Sequence, residues 1–210
     1  MPENKPSLSR DDFVRVALEF VNDHDMSELT IRALGKQLGV DATALYRHFP
    51  KKENLLDAML EDVLSVVADT PDLEGVSPRD CAVNILWQVR SAFRNNPNLS
   101  TAFVAATGDY ASGFTLTRRI CKHLLAAGVP SEILVRTYQM LEGYTMGTSV
   151  FDAGGAPATW TVRQVRYRQI NMPEFDALAT DSEHVKQVSD EAFLRAINII
   201  IDDAVAQANK

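Results

Sequence analysis

Apolar residues recur along this chain at intervals of three and four, with no sustained apolar–polar alternation. That period belongs to helices with one buried face. Ser9 offers an N-cap, followed by Asp11 and Asp12 in the first turn, where acids meet the positive end of the helix dipole. Phe13, Val14, Ala17, Leu18 and Val21 form the apolar face of this first helix, which is expected to end near His24. Thr30 is the next N-cap, and Ile31, Leu34 and Leu38 mark a short helix that stops at Gly39. Asp41 caps a third helix that buries Leu45 and ends before Pro50. A long fourth helix starts at Lys51, with Leu55, Leu56, Met59, Val63 and Val67 as its stripe.

Thr70 to Pro78 collects two prolines, a glycine and several acids, so it reads as a loop and a domain boundary. Helices are expected at 78–95, 98–106, 109–127 and 130–151, punctuated by Pro97, Gly128 and Pro130. Residues 152–159, with Gly-Gly and Pro, read as a loop; 160–182 are less regular and partly helical; a last helix covers 183–207. The fold class is all-α. Its expected parts are a helix-turn-helix domain at 1–50, a connecting helix at 51–69, and a helical bundle at 70–210.

The 210 residues carry a formal net charge of -7, an unpromising balance for a nucleic-acid ligand. The distribution changes that picture. Between Thr30 and Lys52 five basic residues (Arg32, Lys36, Arg47, Lys51, Lys52) face one acid, Asp41, and a local patch is all that binding requires. No long apolar run or signal-peptide core is visible, so a cytoplasmic protein is expected. Cys81 and Cys121 sit in apolar helical patterns and read as reduced buried thiols. The histidines (His24, His48, His123, His184) are scattered, and neither metal-ligand spacing nor a nucleophile or phosphate-loop motif occurs. No cofactor, no metal and no enzymatic activity are expected.

Ile31 to Phe49, IRALGKQLGVDATALYRHF, is the informative stretch. Two short helices share one small core through Leu34, Leu38, Val40 and Leu45. Gly39 sits at the turn, and Gly35 lies where the helices cross and only a small side chain fits. This is the spacing of a helix-turn-helix, whose second helix enters the DNA major groove. Leu29 to Leu56 resembles the DNA-binding segment of the tetracycline-repressor (TetR) family. The match lies in Leu29-Thr30, Leu34, Leu38-Gly39-Val40, Leu45-Tyr46, His48-Phe49, Lys52 and Leu55-Leu56. Gly35 stands where alanine is more usual.

The resemblance implies a role for each matching residue. Ala42, Thr43, Tyr46 and Arg47 lie on the recognition helix, with Arg47 placed to read a guanine and Thr43 a thymine methyl or a phosphate. Tyr46, His48, Lys52 and Thr30 meet the phosphate backbone, and Arg32 reaches toward the groove. A palindromic double-stranded operator, a homodimer and a small-molecule effector are the implied partners. Within the bundle, aromatics at helical spacing serve a core or a ligand pocket equally well. Leu86, Val89, Phe103, Phe114, Gln139, Met140 and Tyr144 are the candidate pocket residues, for a largely apolar effector with one or two polar groups. Phe103 takes the place of a metal-binding histidine of the tetracycline repressor, so a metal-borne effector is not expected. Ile199, Ile200 and Ile201 point three ways around the last helix, which therefore needs burial on more than one face. A second subunit would cover one of them, with Gly143-xxx-Gly147 permitting close approach. The expected function is a ligand-responsive DNA-binding regulator, most simply a repressor released by its effector. A ligand-independent repressor is the alternative.

Overall fold

A computed structural model of the chain describes residues 8–96, 98–153 and 165–209, and these are helical with no strand among them. The N-terminal helices begin and end on local devices. Helix α1, Arg10–Asp23, opens with a reciprocal cap: the Asp12 amide donates to Ser9 Oγ at 3.1 Å, and the Ser9 amide to Asp12 Oδ2 at 3.0 Å. Helix α2, Ile31–Leu38, is capped by Thr30 Oγ1 accepting from the Ala33 amide. It stops at Gly39, whose φ of 63° is left-handed and suits a residue without Cβ. Asp41 caps helix α3, Ala42–His48, by accepting from the Thr43 amide at 2.8 Å. Helix α4, Lys52–Asp69, then runs on into the larger half.

That half contains α5 (Pro78–Asn95), α6 (Leu99–Ala105), α7 (Ala111–Ala126) and α8 (Ser131–Ala153). Residues 165–170 are helical, Pro173–Phe175 form a 3-10 turn, and α9 (Asp176–Thr180) leads into α10 (Ser182–Ala206). The helix expected at 130–151 extends to Ala153, so 152 and 153 are helical rather than loop. The rest of that expected loop, and Trp160, lie outside the described residues.

One hydrophobic core is continuous through both halves, and α4 is the element they share. Leu55, Leu56 and Met59 pack into the cluster that holds Phe13, Ala17, Leu34, Leu45 and Phe49, while Leu60 and Leu64 face the bundle core. α4 touches α1 on one side and α5, α6 and α7 on the other. Its C-terminal end is held by Arg119 of α7, which donates to the Val67 and Ala68 carbonyls at 3.2 and 2.9 Å and pairs with Asp72 at 2.6 Å. A cation at that position also complements the negative end of the helix dipole. α10 is clamped to α5 by the fully buried Arg90. Its guanidinium meets Asp190 at 2.6 Å and lies over the rings of Trp87 and Phe193.

The consecutive isoleucines resolve as three environments: Ile201 is buried, Ile200 half-buried and Ile199 exposed.

Gly35 sets how closely α2 and α3 cross. A Cβ there would lie 3.1 Å from the Val40 carbonyl and 3.5 Å from the Ala42 Cα, both backbone atoms that cannot rotate away. Gly35→Val should therefore force the two helices apart and cost about 1–3 kcal/mol. Urea unfolding of the variant against the parent checks this: an unchanged midpoint would mean that the crossing is loose.

Candidate nucleic-acid interface and internal cavity

The exposed face of α3 follows from its single anchor. Leu45 is its one residue classed as buried; Ala42, Thr43, Tyr46 and Arg47 occupy the other side of a seven-residue helix. Thr43, Tyr46 and Arg47 are exposed, and Ala42 is half-buried. Thr43 is held against its cap: its side-chain and backbone hydrogen bonds keep the Asp41 carboxyl below the usual carboxylate range. Thr30 and Arg32, at the start of α2, are exposed beside it. His48 leans on Phe13, with ring centroids 5.2 Å apart. Lys52 is the exception to a fully solvated set. Its ammonium donates to the Met26 carbonyl at 3.0 Å and ties the start of α4 to the loop before α2. Lys36 and Lys51, which the motif comparison does not single out, are exposed and add to the positive charge.

The second site is a cavity of about 190 Å3 in the bundle, walled by α4, α5, α6, α7, α8 and the loop at 106–110 and open to solvent beside Phe114. Leu86, Val89, Phe103 and Phe114 line it. Gln139, Met140 and Tyr144 do not. The first two are exposed, and Tyr144 stacks on Phe193 at 5.9 Å with its hydroxyl toward the Ala192 carbonyl. The polar lining comes from positions one helical step away, Tyr138, Glu142 and Thr145, joined by Thr117 of α7. Thr117 Oγ1 and Tyr138 Oη are 2.7 Å apart, and Tyr138 donates to Glu142 Oε1 at 2.7 Å. A carboxylate only accepts, so the chain runs from Thr117 through Tyr138 to Glu142. Burial, more than the neighbouring carboxylate, pushes the Tyr138 phenol above its ordinary value. Tyr110 is pushed up to about 12 by burial, then by the charges of Glu142 and Asp57. Its ring lies against Gly113, 2.3 Å from where a Cβ would stand, so any larger residue there must displace the ring.

Two carboxylates of α4 hold the loop that forms one cavity wall. Asp57, buried, accepts from the amides of Thr107 and Gly108 at 3.0 and 3.1 Å and from the Thr107 hydroxyl. Glu61 accepts from the Ser112 amide and hydroxyl at 2.9 and 2.8 Å, at the first turn of α7. Among the described residues no cluster of His, Cys, Asp or Glu is arranged to hold a metal, and no helix is long and apolar enough to cross a membrane.

A helix-turn-helix with a basic exposed face, joined to a helical bundle by one shared helix and by the Asn98 amide on the Val21 and His24 carbonyls, defines the class of protein. Residues 13–59 match the family model described as bacterial regulatory proteins, tetR family. A transcriptional repressor of Mycobacterium tuberculosis is 29% identical over 151 residues, which are 70% of this chain and 58% of that one. The chain thus spans less than two thirds of that relative. The class C tetracycline repressor protein of Escherichia coli is 48% identical over 59 residues, 28% of this chain and 27% of the repressor. Among solved structures, ActR of Streptomyces coelicolor bound to actinorhodin superposes with a TM-score of 0.76 at 20% identity, covering 97% of this chain and 99% of ActR. BioQ with its double-stranded DNA operator gives 0.63 at 24% identity, covering 83% and 99%. These likenesses establish the fold: an N-terminal helix-turn-helix and a helical C-terminal domain.

Asp57→Ala should remove three hydrogen bonds to a charged acceptor and release the Thr107 and Gly108 amides that it holds. A loss of about 2–4 kcal/mol is expected, since such bonds contribute more than neutral ones. Thermal unfolding measures it, and a change under about 0.5 kcal/mol would show that the loop stands without the carboxylate.

Proposed function

We propose that this protein is a ligand-responsive transcriptional regulator that binds a palindromic DNA operator as a homodimer and is released by a small molecule. The exposed face of α3 carries the reading. Thr43, Tyr46 and Arg47 stand together on a helix whose opposite side is anchored by Leu45, with Thr30, Arg32, Lys36 and Lys51 around them. Arg47 reads a base edge, in the bidentate manner an arginine uses on guanine. Thr30, Tyr46 and His48 meet phosphates. Lys52 keeps two N–H groups beyond the Met26 contact and, with the uncapped first turn of α4, receives one phosphate. A relative that is a transcriptional repressor and a structural neighbour that binds a double-stranded DNA operator support repression; the reading is of a cytoplasmic protein without catalysis.

Two apolar stripes support the dimer. On α8, Val135, Gln139, Gly143 and Val150 form one exposed line, and no described atom lies near where Cβ atoms would stand on Gly143 and Gly147. On the adjoining α10, Val188, Ala192 and Ile199 form another. Paired across a twofold axis, these stripes bury each other and set two recognition helices about 34–36 Å apart. The release step runs through α4. A ligand against Tyr110 or Phe114 displaces the 106–112 segment, and Asp57 and Glu61 carry that displacement into the helix that holds the reading head. A coupling of about 1–3 kcal/mol is the usual scale. The cavity favours this over a ligand-independent repressor.

Selection of operator DNA from genomic fragments with the purified protein tests the reading. A palindromic site should emerge, with Arg47→Ala costing about 1–3 kcal/mol and relaxing one position, and Lys51→Ala weakening all sites alike. No enrichment over random DNA at low salt would refute it. Ile199→Glu should shift the protein from dimer to monomer in sedimentation and weaken operator binding. A variant that remained dimeric would place the interface elsewhere.

A further inference from the structure

The cavity's polar lining is unbalanced. Glu142 is a carboxylate, and no lysine, arginine or histidine lines the cavity beside it. Among the described residues Glu142 has no ion-pair partner, and its one hydrogen bond comes from Tyr138. Thr145, one helical turn further along the same face, is 2% exposed, and its Oγ1 has no hydrogen-bond partner. Buried hydroxyls are ordinarily satisfied, so this oxygen is held ready for a donor that the protein does not supply. The rest of the wall is apolar and aromatic: Phe93 and Phe103 meet edge-on at 6.5 Å, and Phe103 and Tyr110 at 6.3 Å.

These features discriminate between classes of guest. An anion would enter against Glu142 with no cation to offset the repulsion. A neutral apolar guest would strip water from the carboxylate and return no hydrogen bond, which leaves a desolvated charge. A protonated amine donates to Glu142 and Thr145, neutralises the carboxylate, and lies among rings whose faces attract cations. The dimensions add a limit: a cavity of about 150 Å3 admits a benzene-sized guest, and this one holds about 190 Å3.

We propose that the cavity takes a compact lipophilic amine with a single positive charge, its ammonium between the Glu142 carboxylate and the Thr145 hydroxyl, and its ring system against Phe93, Phe103 and Tyr110. The proposal rests on reading the cavity as the effector site and names the chemical class of that effector. It also explains the Thr117–Tyr138–Glu142 chain. Tyr138 fixes one carboxylate oxygen, which leaves the other for the guest.

Three one-ring probes of one shape separate the classes: benzylamine, benzyl alcohol and benzoate, titrated calorimetrically into the purified protein. The amine should bind about tenfold or more tightly than the alcohol, with benzoate weakest. In Glu142→Gln, which keeps an acceptor for Tyr138, the amine should lose about tenfold in affinity and the alcohol stay within about twofold. Thr145→Val should also weaken the amine. The amine, and not benzoate, should release selected operator DNA. Equal affinity for amine and alcohol, or an amine affinity unchanged in Glu142→Gln, overturns the cation specificity while leaving a ligand cavity in place. Failure of all three probes to bind at about 1 mM, with operator binding intact, overturns both this proposal and the sensing reading.

Discussion

The structure depends on how α4 is held. This helix completes the core of the helix-turn-helix head with Leu55, Leu56 and Met59, and it also walls the bundle with Leu64. Hydrophobic packing alone would let it slide, because dispersion and burial are non-directional. The directional restraints are polar and face the bundle: Asp57 on the amides of 107 and 108, Glu61 on the start of α7, and Arg119 on the last carbonyls of the helix. Restraints on the side of the head are fewer, chiefly the ammonium of Lys52 on Met26. α4 therefore belongs mechanically to the bundle, and the head rides on it. A change of shape at the 106–112 segment is passed on through hydrogen bonds rather than absorbed by repacking.

α8 serves two surfaces at once. Tyr138, Glu142 and Thr145 face the cavity, while Val135, Gly143 and Val150 present an exposed stripe on another side of the same helix. An α-helix is about 10 Å across, so the guest and a partner subunit would lie within one helix diameter of each other. Ligand affinity and subunit packing are then linked through the rotation and tilt of a single rod. Gly143, exposed, and Gly147, half-buried, remove side chains from that stripe and let such a rod shift without steric conflict.

Legibility in the sequence followed the range of the interactions. The three helices of the head were readable because their boundaries rest on contacts three residues apart or less: Ser9 with Asp12, Thr30 with Ala33, Asp41 with Thr43, and the left-handed turn at Gly39. The all-helical bundle was readable from its period, and its helix ends from glycine and proline. The cavity was only half legible. Leu86, Val89, Phe103 and Phe114 line it, but on α8 the choice of Gln139, Met140 and Tyr144 was out of phase with the inward face. That helix is apolar on several sides, so its own pattern does not say which side faces in. The cue was the Tyr138–Glu142 pair at four-residue spacing, whose phenol and carboxylate reach each other on one face. The Asp57 and Glu61 contacts join residues about fifty positions apart, and no local pattern announces them.

The recognition helix has a consequence of another kind. Leu45 is its sole anchor among residues classed as buried, and caps and neighbouring helices supply the rest of its order. Thr43, Tyr46 and Arg47, all exposed, therefore contribute little to folding, and surface changes of this sort typically alter stability by no more than about 0.5 kcal/mol. Over generations, selection is free to rewrite these letters one at a time without passing through an unfolded intermediate. Under the proposed function, a duplicated gene of this kind can acquire a new regulon by drift on a surface that the rest of the molecule does not monitor.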